Sequence, residues 1–199
     1  MDTIKLVAIL RGIRPAEAAE HIATLVGEGF RYIEIPLNSP DWRQSIPQMV
    51  ARFGEQAVIG AGTVLKVEQV DFLADAGAKL IVTPNTQPEV IRRAVARGMR
   101  VCAGCATATE AFSALDAGAQ WLKIFPSSAF GPDYIRALKA VLPPKVPVLA
   151  VGGVTPENLA SWVRAGCAGA GLGSDLYRAG QAVERTRQQA ERFIAASAV

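Results

Sequence analysis

The stretch Asp116-Ala117-Gly118-Ala119-Gln120-Trp121-Leu122-Lys123-Ile124-Phe125 contains the junction that decides the fold. An alanine-rich, helix-like segment ends at a glycine, and a short apolar run typical of a buried strand follows it. The tetrapeptide Asp-Ala-Gly-Ala occurs again at 75–78. Further glycines stand shortly before an apolar run in the same way: Gly29, Gly77, Gly98 and Gly166. This recurrence predicts consecutive βα units.

Eight such units fit the chain. The predicted strands are Leu6–Arg11, Tyr32–Pro36, Val58–Thr63, Leu80–Pro84, Val101–Cys105, Trp121–Phe125, Val148–Gly152 and Gly169–Gly173. The predicted helices are Ala16–Glu28, Trp42–Phe53, Val67–Ala76, Pro88–Arg97, Ala108–Ala117, Asp133–Val141, Pro156–Ala165 and Gln181–Ala196. Eight apolar parallel strands covered by helices predict the α/β class and one (β/α)8 TIM-barrel domain over 1–199. An open doubly wound sheet is the alternative, disfavoured because no Gly-x-Gly-x-x-Gly or P-loop motif opens a helix.

The composition is that of an ordinary globular protein. Hydrophobic residues make up 50% of the 199 positions and charged residues 20%, with a net charge of +3. Lysines and arginines form no long run, so nucleic acid is not a predicted partner. The first apolar run, which Arg11 closes, is too short for a signal peptide or a membrane span. We therefore expect a cytoplasmic protein with no membrane partner.

The cysteines, Cys102, Cys105 and Cys167, are accompanied by a single histidine, His21. Cys102 and Cys105 have the spacing of half a zinc site, but no second pair follows. Buried free thiols in a reducing compartment explain the cysteines better, so no metal site is expected.

Lys123 is the charged residue that most needs an explanation. Leu122 and Ile124 flank it, and a strand has a side-chain period of two, so Lys123 shares its face with Trp121 and Phe125. An amine in such surroundings must find a partner or lose its proton. The alternative is an edge-strand lysine whose amine reaches water.

Two further charged residues follow the same pattern at strand ends. Glu34 lies between Ile33 and Ile35, which predicts that its carboxyl group points into the barrel. Arg11 follows Val7 and Ile9 at period two, which predicts the same for its side chain. Since active sites of such barrels lie at the C-terminal ends of the strands, these residues predict a site there. An internal salt-bridge network that fills the barrel is the alternative.

The chemistry that this pair favours is imine formation. A lysine in a dry pocket has a lowered pKa and is a nucleophile near neutral pH, suited to attack on a ketone or keto acid. Proton transfer to and from the substrate then needs a nearby group, and Glu34 is the only carboxylate within a predicted strand.

The last two strands end in glycines. Gly152-Gly153 follows the seventh strand, and Gly171-Leu172-Gly173-Ser174 ends the eighth, with a predicted helical turn from Asp175 to Arg178. Backbone N–H groups at such ends bind phosphate, and these two loops are the usual phosphate site of the fold.

With these residues in hand, the sequence resembles the class I aldolases that cleave 2-keto-3-deoxy-6-phosphosugar acids. The segments that carry the resemblance are AILRG (8–12), EIPLNSP (34–40), IGAGTVL (59–65), LIVTPN (80–85), LKIFPSSAFGP (122–132), AVGGVTPENL (150–159) and AGLGSDLY (170–177). They occur in order along nearly the whole chain.

The resemblance implies a (β/α)8 barrel, a homotrimer, and no metal or organic cofactor. It implies that Lys123 forms a Schiff base with the substrate C2 ketone and that Glu34 is the proton donor and acceptor. The products would be pyruvate and D-glyceraldehyde 3-phosphate. Further implied roles are binding of the keto-acid end by Arg11 and Thr63, an apolar floor from Pro84 and Phe125, and phosphate binding by Gly152, Gly153, Gly173 and Ser174.

Two positions favour the galactonate over the gluconate branch of these aldolases. Asn38 stands where gluconate enzymes carry an arginine, and Val151 stands where they carry a threonine. The missing hydroxyl at Val151 would change discrimination at the substrate C4 hydroxyl by roughly 1–3 kcal/mol. The gluconate epimer is the alternative main substrate. Ser127 and Ser128 are expected to cap the following helix, with contact to substrate hydroxyl groups as the alternative.

Two other classes of function remain as alternatives. The glycine pairs also fit a phosphosugar isomerase or epimerase barrel, and a non-catalytic phosphosugar-binding protein would need the same phosphate site. Isomerases of this kind often use histidine or a metal, and His21 lies on the first predicted helix. The class I aldolase is the prediction because it explains both Lys123 and Glu34.

Overall fold

The computed structural model describes residues 5–198. In chain order the elements are β1 (Lys5–Ile9), α1 (Pro15–Gly27), β2 (Tyr32–Pro36), α2 (Trp42–Phe53), β3 (Val58–Gly62), α3 (Val67–Asp75), β4 (Leu80–Val82), α4 (Pro88–Ala96), β5 (Arg100–Cys105), α5 (Ala108–Asp116), β6 (Trp121–Ile124), α6 (Ser127–Lys139), β7 (Val148–Val151), α7 (Leu159–Arg164), β8 (Gly169–Leu172) and α8 (Val183–Ala196). Every strand pairs in parallel with the next, and β8 pairs with β1, so the sheet is a closed ring. The predicted (β/α)8 barrel is confirmed. Residues 1–4 and 199, which the single-domain prediction also covers, lie outside the described residues.

The barrel wall separates two apolar clusters, because successive strand residues face opposite sides. Leu122 and Ile124 of β6 belong to the large cluster between strands and helices. Trp121 belongs to a smaller cluster inside the barrel. The other members of this inner cluster are Val7, Ile9, Leu80, Val82, Cys102, Leu149 and Val151. The alternation predicted for β1 and β6 is therefore confirmed.

Aromatic side chains close the barrel below the site. The Tyr32 and Trp121 rings meet edge to face with centroids 5.0 Å apart. The guanidinium group of Arg100 lies 4.9 Å from the centroid of the Trp121 ring, at cation–π distance. Because this layer fills the N-terminal end of the barrel, polar groups above it face a space that opens at the C-terminal end.

Two helices begin three or more residues away from their predicted starts. A first turn of α6 begins at Ser127, and Gly131, with φ 80° and ψ 168°, interrupts the helix before it continues. In α7 the helix begins at Leu159, since Thr155 and Asn158 first form a turn. The Thr155 N–H donates to Asn158 Oδ1 at 2.9 Å, and the Asn158 N–H donates to Thr155 Oγ1 at 3.3 Å. Thr155 therefore closes a turn that precedes the helix, and the helix does not begin at the predicted Pro156.

The two cysteines with zinc-like spacing lie on opposite faces of β5. Cys102 belongs to the inner cluster and Cys105 to the outer one, so their thiols cannot share a metal ion. All three thiols, including that of Cys167, are free and buried. No helix among residues 5–198 combines the length and the apolar character needed to cross a lipid bilayer.

Candidate active site

A cavity of about 610 Å³ opens at the C-terminal end of the strands. It is lined by Ile9, Arg11, Thr63, Pro84, Lys123, Phe125, Val151, Gly152, Gly153, Val154, Thr155, Gly173, Ser174, Asp175, Tyr177 and Arg178. Every site residue predicted from the sequence is in this lining except Glu34, which is buried in the barrel wall on β2. The predicted residues are thus brought together at one end of the barrel.

Lys123 projects from β6 into the floor of the cavity, with 5% of its surface exposed. Burial lowers the pKa of this amine, while the charges of Glu34 and Cys102 act to raise it and that of Arg11 lowers it further. The Nζ atom lies 4.9 Å from the centroid of the Phe125 ring. A closed barrel has no edge strand, so the alternative of an edge lysine reaching water is wrong.

Glu34 occupies the facing wall, since β2 and β6 stand four strands apart in a ring of eight. Its carboxyl group is 1% exposed, and Oε2 has no hydrogen-bond partner among the described residues. Burial raises the pKa of Glu34 to about 7, against the opposing effects of Lys123, Arg11 and the backbone N–H of Gly62. A buried carboxyl group and a buried amine with opposite pKa shifts form a pair suited to proton transfer.

The three charged residues do not form a salt-bridge network. Among residues 5–198, no nitrogen of Lys123 or Arg11 lies within 4.0 Å of a Glu34 carboxylate oxygen. The structural alternative, in which these residues only plug the barrel, is therefore wrong. The Lys123 amine therefore faces the cavity without an ion-pair partner in the described part of the chain.

Gly62, the last residue of β3, leaves the space that the Glu34 carboxyl group occupies. A Cβ atom on Gly62 would lie 2.1 Å from Glu34 Oε2 and 2.4 Å from Cδ and Oε1. A side chain at this position fits only if the carboxyl group moves, so the position of the carboxyl group depends on a glycine from the neighbouring strand. The sequence offered no signal for this contact, because a glycine in a strand does not reveal which neighbouring side chain occupies the space beside it.

Arg11 lines the cavity at its mouth, past the end of β1, and its side chain is exposed and not buried inside the barrel. Strand β1 ends at Ile9, and the chain turns at Gly12, which has φ +85°. The exposed guanidinium group donates from Nη1 to Asn38 Oδ1 at 2.6 Å and to Thr63 Oγ1 at 3.4 Å. Asn38, which had no assigned role, therefore holds Arg11 over the cavity.

Thr63 has an unusual backbone. Its φ of 54° lies in the left-handed region, which a β-branched residue rarely adopts. Strained residues of this kind cluster at ligand sites. The conformation lets Thr63 line the cavity, where its hydroxyl group meets Arg11.

The backbone conformation at the two positions after β7 favours glycine. Gly152 and Gly153 have φ values of +95° and +73°. Beyond β8, the N–H groups of Leu176 and Tyr177 both donate to the Gly173 carbonyl at 2.9 Å, so a helical turn begins at Ser174. The first N–H groups of such a turn have no acceptor within it and suit an anion.

Ser127 is neither a helix cap nor part of the cavity lining. It is fully buried, donates to the Ile124 carbonyl at 2.7 Å and accepts from the Val151 N–H at 3.0 Å. Ser127 thus joins the ends of β6 and β7. The N-cap of α6 is Pro126, and no side chain caps the helix, so the capping prediction is also wrong for Ser128.

Six lining residues were not predicted: Ile9, Val154, Thr155, Asp175, Tyr177 and Arg178. Five of them stand in the loops after β7 and β8, directly beyond the glycines that the sequence singled out. Their position after a strand end was therefore a usable signal.

His21 lies outside the site, where its Nδ1 atom is 2.8 Å from Thr186 Oγ1 in the contact between α1 and α8. Within residues 5–198, no group of three His, Cys, Asp or Glu residues could hold a metal ion.

Comparison with known proteins identifies the family. A family model described as KDPG and KHG aldolase matches residues 1–192. The 2-dehydro-3-deoxy-6-phosphogalactonate aldolase of Escherichia coli (strain K12) is 69% identical over 193 residues, which cover 97% of this chain and 94% of the relative. A solved structure described as native KDPGal has a TM-score of 0.95 and 70% identity, covering 96% of this chain and 93% of the other. A cube-shaped protein cage designed by fusing symmetric oligomeric domains matches with a TM-score of 0.96 and 69% identity, covering 97% of this chain and 72% of the cage chain. The chain belongs to the KDPG and KHG aldolase family.

Proposed function

We propose that the chain is a class I aldolase, a carbon–carbon lyase that reversibly cleaves 2-dehydro-3-deoxy-6-phospho-D-galactonate to pyruvate and D-glyceraldehyde 3-phosphate. The observation that carries this proposal is the buried Lys123 amine facing a buried Glu34 carboxyl group across the closed end of the cavity. The 69% identity to an aldolase with this substrate in its name supports the choice.

Burial prepares the amine for its first step. Because the pKa of Lys123 is lowered, a larger fraction of the amine is neutral near pH 7. Its lone pair attacks the C2 carbonyl carbon of the keto acid, and loss of water from the carbinolamine gives a protonated imine. Glu34 passes the protons of these steps, directly or through one water molecule.

The imine then accepts the electrons of the C3–C4 bond. Glu34 as carboxylate takes the proton of the C4 hydroxyl group, the C3–C4 bond breaks, and its electron pair forms an enamine on Lys123. D-Glyceraldehyde 3-phosphate leaves as the aldehyde. Glu34, now protonated, returns a proton to C3, and water hydrolyses the pyruvate imine to free the amine.

The two ends of the cavity suit the two ends of this substrate. Arg11 and Thr63, which contact each other in the cavity lining, bind the C1 carboxylate, while Pro84 and Phe125 enclose the apolar part of the keto acid. In the loops after β7 and β8, Gly152, Gly153, Gly173 and Ser174 supply N–H groups for the phosphate. A volume of about 610 Å³ accommodates the whole molecule.

Imine chemistry is tested by trapping. Incubation with pyruvate and borohydride should add one reduced pyruvyl group to Lys123, located by mass spectrometry of the digested protein. An isomerase, an epimerase or a non-catalytic binding protein gives no such adduct. An unlabelled Lys123 would therefore overturn the proposal.

Val151 favours the galactonate epimer. Its side chain is apolar, 6% exposed and part of the cavity lining, so it lacks the hydroxyl group that the threonine of the gluconate branch offers to the C4 hydroxyl of its own epimer. We expect pyruvate release from the galactonate compound to exceed that from the gluconate compound by roughly 10- to 100-fold in kcat/KM. A coupled assay on both epimers measures the ratio, and a ratio below one would make the gluconate compound the main substrate.

The contact between Gly62 and Glu34 gives a further prediction. Gly62→Ala is expected to displace the Glu34 carboxyl group and lower kcat/KM by roughly 10²-fold, because the added methyl group would occupy its place. Gly27→Ala in α1 is the matched control, since a Cβ atom there meets nothing within 4 Å. That control should keep full activity and gain about 0.5–1 kcal/mol in the free energy of unfolding. Steady-state kinetics and urea unfolding measure both, and equal activities would contradict the prediction.

The assembly and the compartment belong to the same proposal. Large exposed apolar side chains on α5 and α6, Phe112 at 40% and Phe130 at 38%, support a homotrimer, as does the likeness to a domain of an oligomer-based cage. Native mass spectrometry gives the subunit count. Three buried free thiols support a reducing compartment, and so the cytoplasm. The extent of the barrel domain over the whole of 1–199 stays a prediction.

A further inference from the structure

We propose that Arg178 binds the substrate phosphate through its guanidinium group and thereby selects phosphorylated over unphosphorylated keto-deoxy acids. This inference rests on the proposed function, since it concerns the phosphate end of the same cavity. It adds a charged side chain to a phosphate site otherwise composed of glycine and serine N–H groups.

Arg178 is held at the cavity by its own loop. Its Nε atom donates to the Ser174 carbonyl at 2.9 Å, and its backbone N–H donates to Gln181 Oε1 at 2.9 Å. Gln181 is itself anchored, because its Nε2 atom donates to the Leu176 carbonyl at 3.0 Å and to Thr186 Oγ1 at 2.7 Å. The loop after β8 therefore fixes the backbone and the Nε atom of Arg178 relative to Ser174.

The charged end of Arg178 has no partner in the chain. Among the described residues, its Nη1 and Nη2 atoms make no hydrogen bond, and no carboxylate oxygen lies within 4.0 Å of the guanidinium group. The side chain lines the cavity beside Gly173 and Ser174. With Nε bonded to the Ser174 carbonyl and both Nη atoms free of partners within residues 5–198, the guanidinium group can bind a phosphate through two parallel hydrogen bonds.

The local charge explains why a cation is needed at this end. Asp175 lines the same part of the cavity, and a phosphate monoester brings close to two negative charges. Neutral N–H groups would bind that dianion beside an uncompensated carboxylate. The positive charge of Arg178 offsets the negative charge of Asp175 and adds a charge-assisted hydrogen bond to the phosphate. A substrate that ends in a hydroxyl group gains little binding energy from this guanidinium group.

The test uses the full-length enzyme with the phosphorylated galactonate substrate and its unphosphorylated counterpart. Arg178→Ala should raise KM for the phosphorylated substrate by roughly 5- to 30-fold, with kcat changed less than about threefold. KM for the unphosphorylated compound should stay within about twofold. Arg178→Lys should recover part of the loss, because it keeps the charge without the planar fork.

Salt dependence separates a charge role from a loop-shaping role. KM of the unchanged enzyme should rise with ionic strength more steeply than KM of Arg178→Ala. Arg164→Ala, an exposed arginine at the last turn of α7, removes the same charge at the opposite end of the barrel and should leave both substrates unaffected. Equal losses on both substrates, or no loss on either, would overturn the role of Arg178. Borohydride trapping of pyruvate on Lys123 needs no phosphate, so its success in Arg178→Ala shows that the proposed function stands independently.

Discussion

Lys123→Met should lower kcat/KM for aldol cleavage by on the order of 10⁴-fold or more and abolish borohydride trapping of pyruvate. Methionine keeps the length and apolar stem of lysine but has no lone pair that can form an imine. Every later step depends on the electrons that the imine accepts, so the loss falls on kcat. Steady-state assays and mass spectrometry of the trapped protein measure both effects.

The same substitution should raise thermal stability. Burial lowers the pKa of Lys123 in the folded protein below its usual 10.5, so the unfolded chain binds more protons between these two pKa values. The folded state is therefore penalised most at low pH, and the penalty fades as pH rises towards 10.5. Calorimetry should show a Tm advantage of Lys123→Met that is larger at pH 6 than at pH 9.

Two controls make this result decisive. Lys145→Met changes an exposed lysine in the loop before β7 and should alter neither activity nor borohydride trapping. Lys123→Arg keeps a charge that cannot be lost, so it should be inactive and less stable than the methionine variant. Residual trapping in Lys123→Met at another lysine would mean that the imine forms elsewhere.

The sequence predicted the barrel because its strands and helices are patterned consistently. All eight strands were located within two residues of their ends, since each is a short apolar run bounded by a glycine or a turn. Helix starts were harder: α7 was predicted to begin at Pro156 but begins at Leu159, and α6 was predicted to begin at Asp133 but begins at Ser127 and runs across Gly131. Local hydrogen bonds, which composition does not reveal, decide these bounds.

The site was predictable where strand periodicity applies and not beyond it. Lys123 and Glu34 lie inside strands, so their flanking aliphatics predicted which way each points. Arg11 lies past the end of β1, where the period of two no longer holds, and its position depends on Asn38. Gly62 was missed because its contribution is an absent side chain, visible only when the neighbouring strand is in place.

Glu34→Gln should reduce kcat by roughly 10²- to 10⁴-fold while leaving the fold intact. Glutamine has almost the same shape but neither takes nor releases a proton at neutral pH. The unchanged enzyme should gain activity as pH rises through about 7, where burial sets the pKa of Glu34, because the carboxylate is the form that accepts the C4 hydroxyl proton. The variant should lose that dependence. Measuring kcat of both proteins between about pH 5.5 and 8.5 tests this difference.

Stability should change in the opposite sense to activity. The folded pKa of Glu34, about 7, exceeds the ordinary 4.5, so the folded state binds more protons in that window and loses stability as pH rises through it. Above pH 7 the full penalty, about 3 kcal/mol, falls on the native enzyme and is relieved in Glu34→Gln. Glu110 provides the contrast: the N–H groups of Ala106 and Thr107 lower its pKa, so Glu110→Gln should cost stability at neutral pH. If Glu34→Gln were no more stable than the native enzyme at pH 8, the carboxylate would have a compensating partner, and its availability as a base would have to be reconsidered.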